Sequence, residues 1–150
     1  MSLKDFVLLA KLEALDLESH KIVKKFEKSE RHVLSADIRH TTASLLRQTI
    51  FAVKTQQDEG KKKRPPIETK RLLFQLDTEI EYFKTQVRKA YALKLINEKT
   101  YEKWSRQIQE CGGLLGGWIK GVDERVGKFQ DKAPPASAQK APEGRQGSLI

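Results

Sequence analysis

Between Leu73 and Ala90, the apolar residues Leu73, Leu76, Ile80, Phe83, Val87 and Ala90 fall at alternating intervals of three and four, without a miss. The same alternation returns in Tyr101, Trp104, Ile108, Cys111, Leu115, Trp118 and Val122. Intervals of three and four hold side chains on one side of a helix, whereas a half-buried strand alternates by two. Asn97, a residue suited to N-capping, stands in the short connection between the two seams. This arrangement predicts an antiparallel helical hairpin whose seams must be covered by further helices.

The first half of the chain supplies that cover. Ser2, followed three residues later by Asp5, resembles a capping box and starts a helix close to the N-terminus. Leu8, Leu12, Leu15, Ile22 and Phe26 follow at core spacing, with Phe6 and Val23 beside them. Ser29 as N-cap and Glu30 in the first turn open a second helix that runs to Glu59 and stops at Gly60. A continuous helix through Phe26–Glu30 is the alternative, because neither Gly nor Pro interrupts that stretch. The second helix carries a stripe of Leu34, Ile38, Leu45, Ile50 and Val53, with Thr41 and Thr42 filling its gap. Pro65-Pro66 break the chain and open a third helix with Glu68 in its first turn. The expected fold is all-α: an up-down antiparallel four-helix bundle over residues 1–126. Phe51, Leu72 and Leu114 lie outside these stripes and are free to serve a subunit interface. Residues 127–150, rich in Ala, Pro, Gln and Gly, read as a disordered tail.

Charge decides which partners suit such a bundle. Lys and Arg number 29 against 20 Asp and Glu, a net +9 that attracts polyanions: RNA, DNA, an acidic membrane face or an acidic protein. The segment from Lys28 to Arg64 alone carries +5 of this. Its second helix sets His32, Arg39, His40, Arg47 and Lys54 on the side away from the apolar stripe, with residues 40, 47 and 54 nearly in line. The run then empties into Lys61-Lys62-Lys63-Arg64. Arg31, Arg39, Arg47, Lys54, Lys61, Lys62, Lys63 and Arg64 are therefore the candidate phosphate-binding residues; the plainer reading is a solvated face and a flexible basic loop. No aromatic is interleaved with the stripe, so stacking on unpaired bases is not expected.

Chemistry yields less. The chain has no phosphate-cradling glycine loop, no His-Glu-x-x-His and no cysteine pair for zinc. The paired Glu-x-x-His motifs of a di-iron bundle are missing as well. Cys111 sits on a seam, as a small hydrophobe would, and its solitude rules out an internal disulfide and suits a reducing compartment. His32 and His40 share their face with arginines, which discourage a metal. Asp77, Glu79 and Glu81 read as a solvated face. The expectation is a protein without catalytic residues, cofactor or metal. No apolar run approaches the roughly 18 residues of a membrane span, and Asp5 and Glu13 break up any signal peptide, so a cytoplasmic protein is expected. Gly112-Gly113 and Gly116-Gly117 each cost about 1 kcal/mol per residue inside a helix. Close packing in the bundle is one reason for them; a subunit contact or a bend is the other.

Three segments carry a resemblance. Lys28-Ser29-Glu30-Arg31-His32-Val33-Leu34 with Ile38-Arg39, then Leu73-x-x-Leu76-Asp77-x-x-Ile80, then Gly113-x-Leu115-Gly116-Gly117-Trp118 resemble the accessory variability determinant of diversity-generating retroelements. That family is related to the four-helix-bundle proteins encoded in rRNA intervening sequences. The resemblance spans about residues 5–122. It implies a non-catalytic partner of a reverse transcriptase, assembled as a homopentameric barrel, that binds RNA or DNA and supports mutagenic copying of a template RNA. A sibling bundle that binds structured RNA or acts as a scaffold, with no polymerase partner, is the alternative. Glu27 stands where the family usually carries a proline after the phenylalanine. The loop at 60–66 and the tail beyond Gly127 have no counterpart in it.

Overall fold

The computed structural model describes residues 3–26 and 31–131, with side chains from Val7 and from Val33 onward in the two segments. Four α-helices make up the described fold: α1 (Leu3–Val23), α2 (Ala36–Lys61), α3 (Ile67–Ala92) and α4 (Glu98–Asp131). A wide π-type turn, Arg31–Ser35, leads into α2. Among the described residues there is no strand. The caps expected from Ser2 and Ser29 lie outside the described residues.

Each helix packs on its two neighbours in a ring, α1 on α2 and α4, and α3 on α2 and α4. The pairing senses are antiparallel. Lys11 reaches Glu110 at 3.5 Å while Glu18 faces Lys103, so α1 and α4 run in opposite directions. Asp37 accepts from Gln86 and Glu59 accepts from Thr69, which fixes the same relation for α2 and α3. The result is an up-down-up-down bundle. One end gathers the α1–α2 and α3–α4 connections; the other gathers the α2–α3 connection and the end of α4.

The seam of α3 is buried at all six expected positions, and that of α4 from Trp104 to Val122, with Val126 added. Tyr101 is half-buried and stacks on Tyr91, the ring centroids 4.4 Å apart and the planes 9° from parallel. Three expectations fail. Ile50 is 47% exposed, and Thr49 and Ala52 take the core instead. Four residues after Leu45 keep the helical phase, whereas five swing the side chain well off the buried stripe. Val23, not Ile22, is the fully buried member of its pair. Leu72 is buried at the edge of the α3 core, so it is not free to serve a subunit interface.

Most polar groups in the core are satisfied locally or across helices; Ser35 Oγ and Gln86 Oε1 are buried without a partner among the described residues. Thr41, Thr42 and Thr49 donate to the carbonyls of Asp37, Arg39 and Leu45, so their hydroxyls are buried without losing a partner. Ser19 occupies the α1 seam at 1% exposure, and its Oγ accepts a 2.9 Å hydrogen bond from Trp104 Nε1. Phe83 meets the same indole edge-on, centroids 5.9 Å apart and planes 86° from parallel. One large side chain thus ties α1, α3 and α4 together.

The helix ends differ from expectation. Gly60 lies within α2, which ends one residue later; the chain turns at Lys63, whose φ of 56° is left-handed. Arg64 N–H donates to the Glu59 carbonyl at 2.9 Å, closing the turn. Lys94 repeats this at the end of α3, with φ 62° and a Leu95-to-Ala90 bond of 3.0 Å. A lysine in that region costs about 1–2 kcal/mol relative to right-handed backbone, a cost that the hydrogen bonds closing both turns offset. The first turn of α3 is capped from a distance. The Glu59 carboxylate accepts from the backbone N–H groups of Glu68 at 3.0 Å and Thr69 at 3.1 Å, and from the Thr69 hydroxyl. A carboxylate at the positive end of a helix also meets a favourable dipole.

Helix α4 continues unbroken to Asp131, through the first residues of the stretch expected to be a tail; residues 132–150 lie outside the described ones. The glycine strip does not interrupt it. A Cβ at Gly113 or Gly116 would meet nothing within 4 Å, and one at Gly112 only Ile80 Cγ2 at 4.0 Å. Close packing inside the bundle therefore does not account for Gly113 or Gly116.

Candidate nucleic-acid interface

The core stripe of α2 leaves its opposite side to solvent, and that is where Arg39, Arg47 and Lys54 stand, with His40 among them. Arg39 and Lys54 are about 22 Å apart along the axis at the standard helical rise. None of the three cations makes an ion pair among the described residues. Asp37, two residues before Arg39, is turned toward α3, where it accepts from the Tyr82 hydroxyl at 2.8 Å and from Gln86 Nε2 at 2.7 Å. The hydrogen bond to Asp37 is the main reason the Tyr82 phenol is held above its usual range, with burial and the nearby carboxylates adding to it. The acid nearest in sequence to the start of the basic row is thus engaged elsewhere.

At the far end of α2, Lys61, Lys62, Lys63 and Arg64 are all exposed. Of these four, Lys62 is partly neutralised, by Asp58 at 3.0 Å. Arg31 lies in the π-type turn at the other end, and its side chain is outside the described ones, as is that of His32. The structure thus sets Arg39, Arg47 and Lys54 on one face and continues it into the 61–64 turn. Arg125, a cation that sequence reading did not single out, lies off this row: its partner Gln56 follows the core stripe of α2, three, four and seven residues after Val53, Ala52 and Thr49. Its Nη2 donates to Gln56 Oε1 at 2.7 Å, and the same oxygen accepts from Trp118 Nε1 at 2.8 Å. Seven residues after seam residue Trp118 place Arg125 on the α4 side nearest α2, a spacing that was available as a signal.

One expectation about this face is corrected. Phe51 is 58% exposed and lies four residues after Arg47 and three before Lys54, so it stands between them on the surface. Ile50 joins it. The basic row is therefore interleaved with an aromatic and an aliphatic side chain, because the helical turn brings together residues that are separated in sequence.

Cys111 is buried on the α4 seam, and burial pushes its thiol up to about 11, with the Glu110 carboxylate adding to the effect and Lys11 opposing it. At pH 8 a thiol raised from 9.0 to about 11 holds about a hundredfold less thiolate, the reactive form. Ellman's reagent is expected to label the folded protein at least that much more slowly than the protein in denaturant; equal rates would place the sulfur at the surface. Among the described residues, no group of three or more His, Cys, Asp or Glu side chains is placed to hold a metal ion. No helix among them is long and apolar enough to cross a membrane.

Together these features define a class: a basic antiparallel four-helix bundle with an open cationic face. A family model described as bAvd-like matches residues 6–122, nearly all of the bundle, and the chain belongs to that family. This agrees with the resemblance to accessory variability determinants and places the chain among accessory, non-catalytic proteins of diversity-generating retroelements. A comparison with curated proteins finds no match.

Proposed function

We propose that this chain binds the reverse transcriptase of a diversity-generating retroelement together with nucleic acid, and so supports mutagenic copying of a template RNA. The observation that carries the reading is the open row Arg39, Arg47 and Lys54, continuing into Lys61–Arg64, on a bundle of this family. Ammonium and guanidinium groups free of carboxylate partners displace counterions from phosphates, giving affinity with little regard to sequence. Phe51 offers an unpaired base a ring to stack on, which favours single strands over duplex. The protein acts in the cytoplasm, where template RNA and polymerase meet. Co-expression with the tagged reverse transcriptase of its own element is expected to retain the chain on affinity resin. A folded chain that washes through would remove the polymerase from this reading.

The same proposal includes a homo-oligomer, with five subunits as the family implies. Ile67 and Phe74 are exposed on a single chain, and Gly113 and Gly116 present open backbone on α4. Gly113→Ala with Gly116→Ala is expected to raise the helix stability of one chain by about 1 kcal/mol per site while weakening assembly. Light scattering should read about five times 17.2 kDa for the parent and less for the variant. A parent mass of 17.2 kDa at micromolar concentration would remove assembly from the proposal.

A further inference from the structure

At the end of the bundle opposite the Lys61–Arg64 turn, a cavity of about 470 Å³ opens between the end of α1 and the start of α4. Lys21 and Lys25 line it from the α1 side, Lys99 and Lys103 from α4. Lys99 and Lys103, spaced by four on α4, present two ammonium groups on one side, and Lys21 on α1 and Lys25 in the turn after it line the opposite side of the cavity. Among the described lining residues Glu18 is the one carboxylate, 3.9 Å from Lys103 at the outer limit of an ion pair. Lys21, Lys25 and Lys99 have no ion-pair partner among the described residues. Ile22, Leu95 and Ile96, half-buried against the core, give the cavity an apolar side.

All four lysines are exposed, and they leave the described lining of the cavity with an excess of positive charge. Like charges spaced by four on a helix repel weakly, as Lys99 and Lys103 do, and Lys99 sits beside Glu98 in the first turn of α4, at the positive end of the helix dipole. A dianion among the four ammonium groups is attracted to each of them and to the positive end of the helix dipole. The volume falls within the range of small-molecule sites and suits a ligand with an apolar body as well as an anionic head. We propose that the cavity binds a small organic phosphate of mononucleotide size, its phosphate among Lys21, Lys25, Lys99 and Lys103 and its base against Ile22, Leu95 and Ile96. The site is separate from the basic face of α2 and does not depend on the function proposed for that face.

Isothermal titration of the full chain with adenosine 5′-monophosphate tests the assignment. One nucleotide is expected to bind per chain, with adenosine and inorganic phosphate each at least about tenfold weaker, as each lacks one half of the recognition. Lys25→Gln with Lys99→Gln breaks no ion pair among the described residues and changes two exposed side chains, so the fold should survive. It is expected to lower nucleotide affinity about tenfold or more, the scale of losing charge-assisted bonds. Arg39→Glu with Arg47→Glu should leave it unchanged, which separates this site from the α2 face. Any one of three results overturns the proposal: no heat of binding at millimolar nucleotide, phosphate binding as tightly as the nucleotide, or full affinity in the Lys25/Lys99 variant.

Discussion

Replacing Trp104 by alanine is expected to cost about 3–5 kcal/mol of folding stability, the largest loss of any single substitution in the bundle. The indole is fully buried, edge-on to Phe83, and donates the hydrogen bond that satisfies Ser19 Oγ. Truncation opens a cavity where α1, α3 and α4 meet and takes that donor away from a buried hydroxyl, and close-packed interiors relax into such gaps only partly. Trp104→Phe separates the two effects. It keeps most of the ring volume but withdraws the donor from Ser19, for an expected loss of about 1–3 kcal/mol. Urea unfolding followed by circular dichroism, at matched protein concentration so that assembly does not bias the comparison, reads both values. An alanine variant losing under about 1 kcal/mol would mean that the indole is not sealed in the core.

The second large effect concerns binding. Reversing Arg39 and Arg47 to glutamate replaces two cations, without ion-pair partners among the described residues, by two anions on the side of α2 away from the core. Affinity for RNA is expected to fall, and the slope of log affinity against log salt to shrink by about 0.7–0.9 for each phosphate that is no longer neutralised. The loss should be the same for unrelated sequences, because phosphates carry no sequence information. Phe51→Ala makes the complementary test. It should weaken single-stranded RNA by about 1–3 kcal/mol per stacked base and leave duplex binding alone. Oligomer size must be followed in each variant, so that a change in assembly is not read as a change in binding. An assembled Arg39/Arg47 variant with unchanged affinity and slope would show that the α2 face is only solvated, and would move the search to Lys61–Arg64.

The sequence by itself determined the fold class and most of the core, because burial along a helix has a period that can be read residue by residue. The seams of α3 and α4 were legible to single positions. So was the solvent side of α2, where Arg39, Arg47 and Lys54 repeat in near register with the helix. The core side of α2 was less so. Ile50 looks like core by residue type, yet the phase set by Ile38, Leu45 and Val53 gives its place to Thr49, which hides its hydroxyl on the Leu45 carbonyl. Phe51 escapes a linear reading for the related reason that its neighbours on the surface are not its neighbours in the chain.

What only the tertiary structure decided lies between helices. Ser19 gives no sign of burial until Trp104 arrives from another helix to donate to it. Glu59 becomes a cap for α3 only once Pro65-Pro66 bring that helix back beside it. Asp37 is a free acid in the sequence and is engaged by Tyr82 and Gln86 in the fold, which leaves Arg39 without it as an ion-pair partner. The lysines at the end of α1 and the start of α4 are ordinary surface residues taken singly, and line one cavity because antiparallel packing sets them face to face. Periodicity along one helix fixes which side faces inward. It carries no information about which residue of another helix stands opposite, since that depends on the lengths of the connections and the fit of the packed core.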